Sequence, residues 1–128
     1  MKKRAVPPPA LAKAVVPATQ PVAIQPGAVL YKQYCLTCHQ ANGGGVPRLN
    51  PPLRGTDWVT GDKTRLINVL LKGLQNVEID GESYDNVMPA HDFLTDQQLA
   101  DLLTYLRSNF GNNAPPITPQ EVKQQRTP

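Results

Sequence analysis

The heptapeptide YCLTCHQ, residues 34–40, holds both cysteines of the chain and one of its two histidines. Two thiols three residues apart sit about one helical turn from each other, so they act as a unit with the imidazole that follows. A chain organised around Cys35-Leu36-Thr37-Cys38-His39 must pair its thiols, share a metal among them, or grip a group from outside the polypeptide.

The surrounding sequence limits the size of the fold. Fourteen prolines occur among 128 residues, and six of them fall in the first 26. Spaced prolines remove backbone donors and forbid a continuing helix, so residues 1–26 are expected to form an extended, solvated, disordered arm or linker. MKKR resembles a positive n-region and the Ala10-Leu11-Ala12 stretch a cleavage site. Pro7, Pro8 and Pro9 leave too little room between them for the roughly 7–15 apolar residues of a signal. A linker from a larger polypeptide, or a chain that begins after its signal, fits the arm better. Residues 112–128 share its Pro-rich, polar character and are expected to form a tail. That leaves residues 27–111 as the folded domain. No stretch approaches the ~20 apolar residues of a membrane span.

The formal charge of +3 belongs to the ends. Lys2, Lys3, Arg4 and Lys13 lie in the arm, and Lys123 and Arg126 oppose Glu121 in the tail. The domain's seven basic side chains face nine acids. This argues against a nucleic-acid surface. With two Phe and one Trp, so small a domain has a thin core and is expected to need a non-protein core element.

Helical periodicity recurs in three segments, and none shows sustained strand alternation. The first covers Pro26 to Thr37, with Gly27, Tyr31, Tyr34 and Cys35 on one face. The second covers Asp62 to Lys72, with Asp62 as N-cap, Gly73 as stop, and Leu66, Val69, Leu70 and Leu74 on its apolar face. The third opens on a capping box from Thr95 to Gln98, carries Leu99, Leu102, Leu103, Leu106 and Phe110, and closes at Gly111. The long connections between them are expected to wrap something.

A thioredoxin-like dithiol needs a βαβ frame, and no strand precedes the motif. A zinc site would draw on Cys35, Cys38, His39 and His91, yet adjacent Cys38 and His39 are awkwardly placed to ligate one ion. An accidental pentapeptide would leave the thin core unexplained. The remaining reading is covalent attachment of one haem c, each thiol adding to a vinyl group and His39 facing the iron.

Around that motif the chain resembles the class I c-type cytochromes from Gly27 to Gly111. The resemblance rests on Gly27 and Tyr31 before Cys35, on Leu102 and Tyr105 in DLLTYL, and on Pro51-Pro52-Leu53-Arg54-Gly55 after His39. It implies an all-α cytochrome c fold, three to five short helices wrapped around one covalent haem. Leu102 and Tyr105 would cross Gly27, with Tyr31 filling the crossing. The carbonyl of Pro51, or of its neighbour Pro52, would accept the Nδ1–H of His39. Met88, the one methionine besides Met1, would be the sixth iron ligand, with Pro89 stiffening its loop. His91 is the internal rival for that position and is otherwise expected at the surface near the exposed haem side. Trp58 would pack by the propionates, or equally serve as an ordinary core residue. Tyr31, Leu53, Trp58 and Pro89 thus join Cys35, Cys38, His39, Pro51 and Met88 as cofactor-binding candidates. GVPRLNPPLRGTDWV and MPA further resemble cytochrome modules attached to periplasmic quinoprotein dehydrogenases and some copper nitrite reductases.

The expected function is one-electron transfer in a monomeric, non-enzymatic domain outside the cytoplasm. Its expected partners are redox proteins, a donor dehydrogenase and an acceptor oxidase or reductase. The alternative is a peroxidase-like haem enzyme or ligand sensor with an open sixth position. Between Gly73 and Leu106 there are seven acids and no Lys or Arg. That composition fits either a solvated face or a negative docking rim.

Overall fold

A computed structural model describes residues 25–126; the expected arm and signal-like segment of residues 1–24 lie outside the described residues. Six helices and one short hairpin are present among them: α1 (Pro26–Tyr34), α2 (Leu36–His39), α3 (Asp57–Thr60), α4 (Lys63–Lys72), β1 (Glu78–Ile79), β2 (Glu82–Ser83), α5 (Asp96–Ser108) and α6 (Pro119–Arg126). No helix among the described residues is long and apolar enough to cross a membrane.

Local chemistry accounts for the main helices. Asp62 caps α4 by accepting from the Thr64 amide at 3.0 Å, and Gly73 ends it. The capping box of α5 is complete, with Thr95 Oγ1 accepting from the Gln98 amide at 3.0 Å and Gln98 Oε1 from the Thr95 amide at 2.9 Å. The first predicted helix divides. It stops at Tyr34, Cys35 turns the chain at φ −119°, and α2 resumes at Leu36. The break swings the second thiol away from the face that buries Gly27, Leu30 and Tyr31. Cys35 is buried and Cys38 exposed.

The core centres on α5, which buries Leu99, Leu102, Leu103 and Leu106. It packs on α1 at Gly27, where a Cβ would collide with the Asp101 carbonyl oxygen and come within 2.5 Å of Tyr105 Cβ. Only glycine lets the two backbones approach so closely. Tyr31, Tyr105 and Phe110 close that crossing, with ring centroids 5.1–5.7 Å apart. Tyr105 therefore meets Gly27 as expected, and Leu102 is buried in the core.

Two features differ from the sequence expectations. Residues 112–126 are part of the folded body rather than a tail. Ile117 and Val122 are buried in the core, α6 packs on α4 and α5, and Lys63 pairs with Glu121 at 3.2 Å. Pro119 starts this helix, where its missing N–H costs nothing, and α6 takes the helix count past five. Arg107, read as one of the domain's surface charges, is buried. Its guanidinium donates to the carbonyls of Pro115 (2.7 Å), Val59 (2.8 Å) and Gly61 (3.0 Å), so it ties α5 to the loop at the end of α3 and to the chain leading into α6.

Gly27→Ala is expected to destabilise the protein by about 2–3 kcal/mol, because a methyl group has nowhere to go at a backbone contact. Guanidinium unfolding should show a lower midpoint, and an unchanged midpoint would remove the crossing as a determinant of the fold.

Candidate functional site

His39, the last residue of α2, is buried, and its Nδ1 lies 2.9 Å from the Pro51 carbonyl oxygen. A carbonyl can only accept, so Nδ1 carries the proton and Nε2 keeps its lone pair. Burial lowers the His39 pKa; the Pro51 bond opposes that, and nearby His91 adds to it. The imidazole is thus held neutral and aimed, which suits it as a donor to a metal. Of the two prolines left open by the sequence, Pro51 makes this bond.

The loop carrying Pro51 is folded for that purpose. His39 accepts at its own carbonyl from the Gly45 amide (3.0 Å), and Val46 and Asn50 form an isolated antiparallel bridge. Gly45 lies at φ +69°, and a Cβ there would stand 2.5 Å from the Asn50 oxygen and 2.6 Å from the Pro51 oxygen.

Opposite, Met88 is tied by its backbone to Leu74, which follows α4: Leu74 N to Met88 O at 3.0 Å and Met88 N to Leu74 O at 2.9 Å. His39 and Met88 both line a cavity of two adjoining lobes. Cys35, His39, Pro51, Leu74, Ile79 and Met88 line both lobes. Leu53, Trp58, Val59, Leu66, Leu70 and Leu106 line the first, and Tyr34, Cys38, Tyr84, Pro89 and His91 the second.

The structure brings together Cys35, Cys38, His39, Pro51, Leu53, Trp58, Met88 and Pro89 as the sequence suggested. Tyr31 is a correction: it lines neither lobe and instead donates from its hydroxyl to the Gln40 carbonyl, bracing the end of α2 from behind. His91 is a second correction. It is buried, not at the surface; its amide donates to the Leu70 carbonyl at 2.6 Å, its ring packs on Tyr34 and Phe93, and its Nδ1 has no partner. Trp58 is half-buried, with the Arg65 guanidinium 4.1 Å above its ring.

Two elements went unread in the sequence. Ile79 reaches both lobes from a hairpin whose turn is Asp80-Gly81, with φ +53° and +84°. That is a two-residue I′ turn, and the Asp-Gly pair was its signal. Thr56 caps α3 and donates to Asp80 Oδ2 at 2.7 Å, fixing the hairpin over the cavity.

The donor set discriminates among the candidate chemistries. Among the described residues no group of three or more His, Cys, Asp or Glu side chains is placed to share a metal ion. Burial, reinforced by Cys38, pushes the Cys35 thiol up to about 12, so it is a poor thiolate donor or redox nucleophile. What the site offers is one neutral imidazole, one thioether across an apolar gap, and two thiols at its edge. Those residues fit a large flat apolar group carrying its own metal, attached through the thiols.

Comparison with known proteins agrees. The chain matches the family model of cytochrome c over residues 24–110. It is 36% identical over 104 residues to the cytochrome c subunit of the quinone-dependent alcohol dehydrogenase of Gluconobacter oxydans (strain 621H), covering 79% of this chain and 22% of that subunit. It is 37% identical over 110 residues to cytochrome c-552 of Thermus thermophilus, covering 78% of this chain and 83% of that protein. The gluconate 2-dehydrogenase cytochrome c subunit of Pantoea cypripedii is 35% identical over 96 residues, 70% of this chain and 21% of that subunit. The chain thus spans about a fifth of the length of the dehydrogenase subunits it matches.

Gly45→Ala is expected to cost about 1–2 kcal/mol in backbone strain and to push the Pro51 carbonyl away from His39. The proton on His39 Nδ1, followed by nitrogen-edited NMR, should exchange roughly tenfold faster, as for a net loss of about 1.4 kcal/mol in one hydrogen bond. An unchanged exchange rate would detach Gly45 from the geometry of His39.

Proposed function

This chain belongs to the cytochrome c family, a one-electron carrier with covalent haem c, and from that premise we propose the roles of its residues, its partners and its location. Haem c, when bound, supplies the Fe(III)/Fe(II) couple. Cys35 and Cys38 form the two thioether links, His39 Nε2 is the proximal ligand, and Met88 sulfur is the distal one. The observation that carries this reading is the lining of one apolar cavity by both His39 and Met88, His39 held through Nδ1 by the Pro51 carbonyl and Met88 by its backbone pairing with Leu74.

Each side chain has a part in the electron-transfer reading. The Pro51 carbonyl keeps His39 in the tautomer that donates from Nε2. Val59, Leu66, Leu70, Leu74, Ile79 and Leu106 keep water from the cavity. An apolar wall disfavours the more charged oxidised site, and a thioether donor acts in the same direction, so both raise the reduction potential. Were His39 and Met88 both to hold the iron, no position would be left for a substrate, which separates this reading from a peroxidase or ligand sensor.

Its partners are redox proteins. The dehydrogenase subunits among its relatives support a quinoprotein dehydrogenase or similar enzyme as donor, with this domain as a monomeric relay toward an oxidase or reductase. Attachment of haem to C-x-x-C-H takes place outside the bacterial cytoplasm, which supports a periplasmic location. The mouth of the second lobe is where contact would be made. Val77, Val87 and Phe93 are exposed there, and exposed Glu78, Glu82, Asp85 and Asp92 surround them, with Lys72 at one flank. Asp80 and Asp96 are already engaged by Thr56 and Arg126. A partner presenting basic side chains around an apolar centre would fit this face.

Met88→Ala should abolish the weak near-infrared sulfur-to-iron band of the ferric protein while leaving the mass of one covalent haem per chain. Survival of that band would exclude Met88 as ligand. Oxidation of the reduced protein by a small cationic complex should slow as ionic strength rises, and by an anionic one should quicken. Glu78→Lys with Glu82→Lys should flatten the cationic slope, and identical slopes before and after would exclude this rim as the exchange face.

A further inference from the structure

The C-terminal helix α6 ends on Arg126, whose guanidinium donates to three acceptors in the segment that follows the Met88 loop. Nε meets Asp96 Oδ1 at 2.6 Å, Nη1 meets the Asp92 carbonyl at 2.9 Å, and Nη2 meets the Leu94 carbonyl. The rest of the same helix is seated firmly along its length. Val122 is fully buried, Lys63 pairs with Glu121, and Asn68 donates to Gln125 at 3.0 Å.

This placement suits α6, whose C-terminus favours a cation, but not α5. Asp96 is the first residue of α5, and a cation beside a helix N-terminus opposes the macrodipole. Acceptors at three positions of one short segment offset that, and a planar guanidinium is the side chain able to take all three at once. The segment it holds runs back through a short path. Leu94 donates from its amide to the His91 carbonyl at 3.1 Å, His91 donates to Leu70 of α4, and Pro89 joins His91's neighbour Ala90 to Met88. Met88 itself adds its bridge to Leu74, and Val87 and Pro89 beside it are exposed; upstream, the Asp85 and Asn86 amides donate to the Arg48 and Leu49 carbonyls at 2.9 and 3.2 Å, so that end of the loop is held independently of α6.

We propose that Arg126 is a positioning residue for the sixth ligand: α6 is a clasp, seated on α4, that closes the downstream end of the Met88 loop and keeps the thioether across from His39. The inference rests on the reading of Met88 as ligand, and it assigns a task to a helix that lies outside the residues matched by the family, 24–110.

The test uses the haem-loaded protein with Arg126→Gln, Arg126→Lys and, as a control that removes an ion pair from the other side of α6, Lys63→Gln. Two readouts report the loop: the affinity of imidazole for the ferric protein, which must displace Met88 to bind, and native-state amide exchange at Leu74, Met88 and His91. Arg126→Gln is expected to raise imidazole affinity and speed those amides by about tenfold, as for one lost charge-assisted hydrogen bond. Arg126→Lys, keeping only the pairing with Asp96, should fall between, and Lys63→Gln should leave both near wild type at a comparable global unfolding midpoint. Equal effects of Arg126→Gln and Lys63→Gln, or amide exchange that accelerates uniformly over the whole protein, would reduce α6 to general stabilisation and overturn the proposal. If the wild-type protein lacks the sulfur-to-iron band, the ligand reading fails, and the exchange at Leu74 and Met88 still decides whether the clasp holds their loop.

Discussion

A single hydrogen bond, from His39 Nδ1 to the Pro51 carbonyl, fixes the orientation on which the site depends. A histidine on a four-residue helix would otherwise turn about its own side-chain torsions, and an imidazole that turns cannot face one point across a cavity. The bond exists because the chain between the two residues folds back on itself, through the Gly45 amide to the His39 carbonyl and the Val46–Asn50 bridge. Tyr31 secures the same helix from the far side through Gln40. The hydrogen bonds that aim His39 thus lie within residues 31–51, while Asp85 and Asn86 tie the same loop to the Met88 segment and Phe110 packs on Tyr31.

The distal wall is built differently. Met88 comes from a connection with little regular structure, so its position must be borrowed from elements that are rigid for other reasons: α4 through Leu74 and Leu70, and the Asp80-Gly81 hairpin through Ile79. The polar groups that join these parts are buried and mutually satisfied. Arg107 is held by three carbonyls, and Asn112 donates to the Leu53 and Leu106 carbonyls while accepting from Gly55. Buried polar groups of this kind specify one arrangement, because any shift that breaks them leaves a donor or carbonyl without a partner at a cost of about 1–3 kcal/mol.

The local parts of this design were legible in the amino-acid order. Asp62 and Gly73 bound α4, and Thr95 and Gln98 open α5, because each is a short-range pattern with one physical reading; Cys35-x-x-Cys38-His39 is short-range with several readings, and Pro51 and Met88 were reached through the resemblance to the c-type cytochromes. What escaped depends on contacts far apart in the chain. His91 looks solvent-bound in a loop beside Pro89, yet Tyr34, 57 positions earlier, helps to cover it. Arg107 looks like a surface charge at a helix end until Pro115 and Val59 fold around it. The C-terminal helix is a different case, since its signal was present. Thr118-Pro119-Gln120-Glu121 is a capping box, with Thr118 Oγ1 accepting from the Glu121 amide at 3.2 Å and Glu121 Oε1 from the Thr118 amide at 2.9 Å. Counting prolines concealed it, because proline stops a helix only when it lies inside one.

The unequal construction of the two walls has a functional meaning for an electron carrier. On the proposed ligation, His39 and Met88 must both hold their places while the iron changes charge, or each transfer would carry the cost of moving them. The proximal donor lies on the chain next to both attachment thiols and cannot leave without unfolding α2. The distal donor lies on the segment with the most exposed neighbours, and local opening of a protein begins where backbone is least covered. A fold that relies on a thioether there must add tertiary restraints after the loop as well as before it. In this chain those restraints are the Leu74 bridge on one side, and on the other the Leu70 carbonyl and the guanidinium of Arg126. The second set comes from α4 and from the end of the described chain, so, if Arg126 acts as proposed, α6, which lines neither lobe, bears on whether the sixth position stays filled.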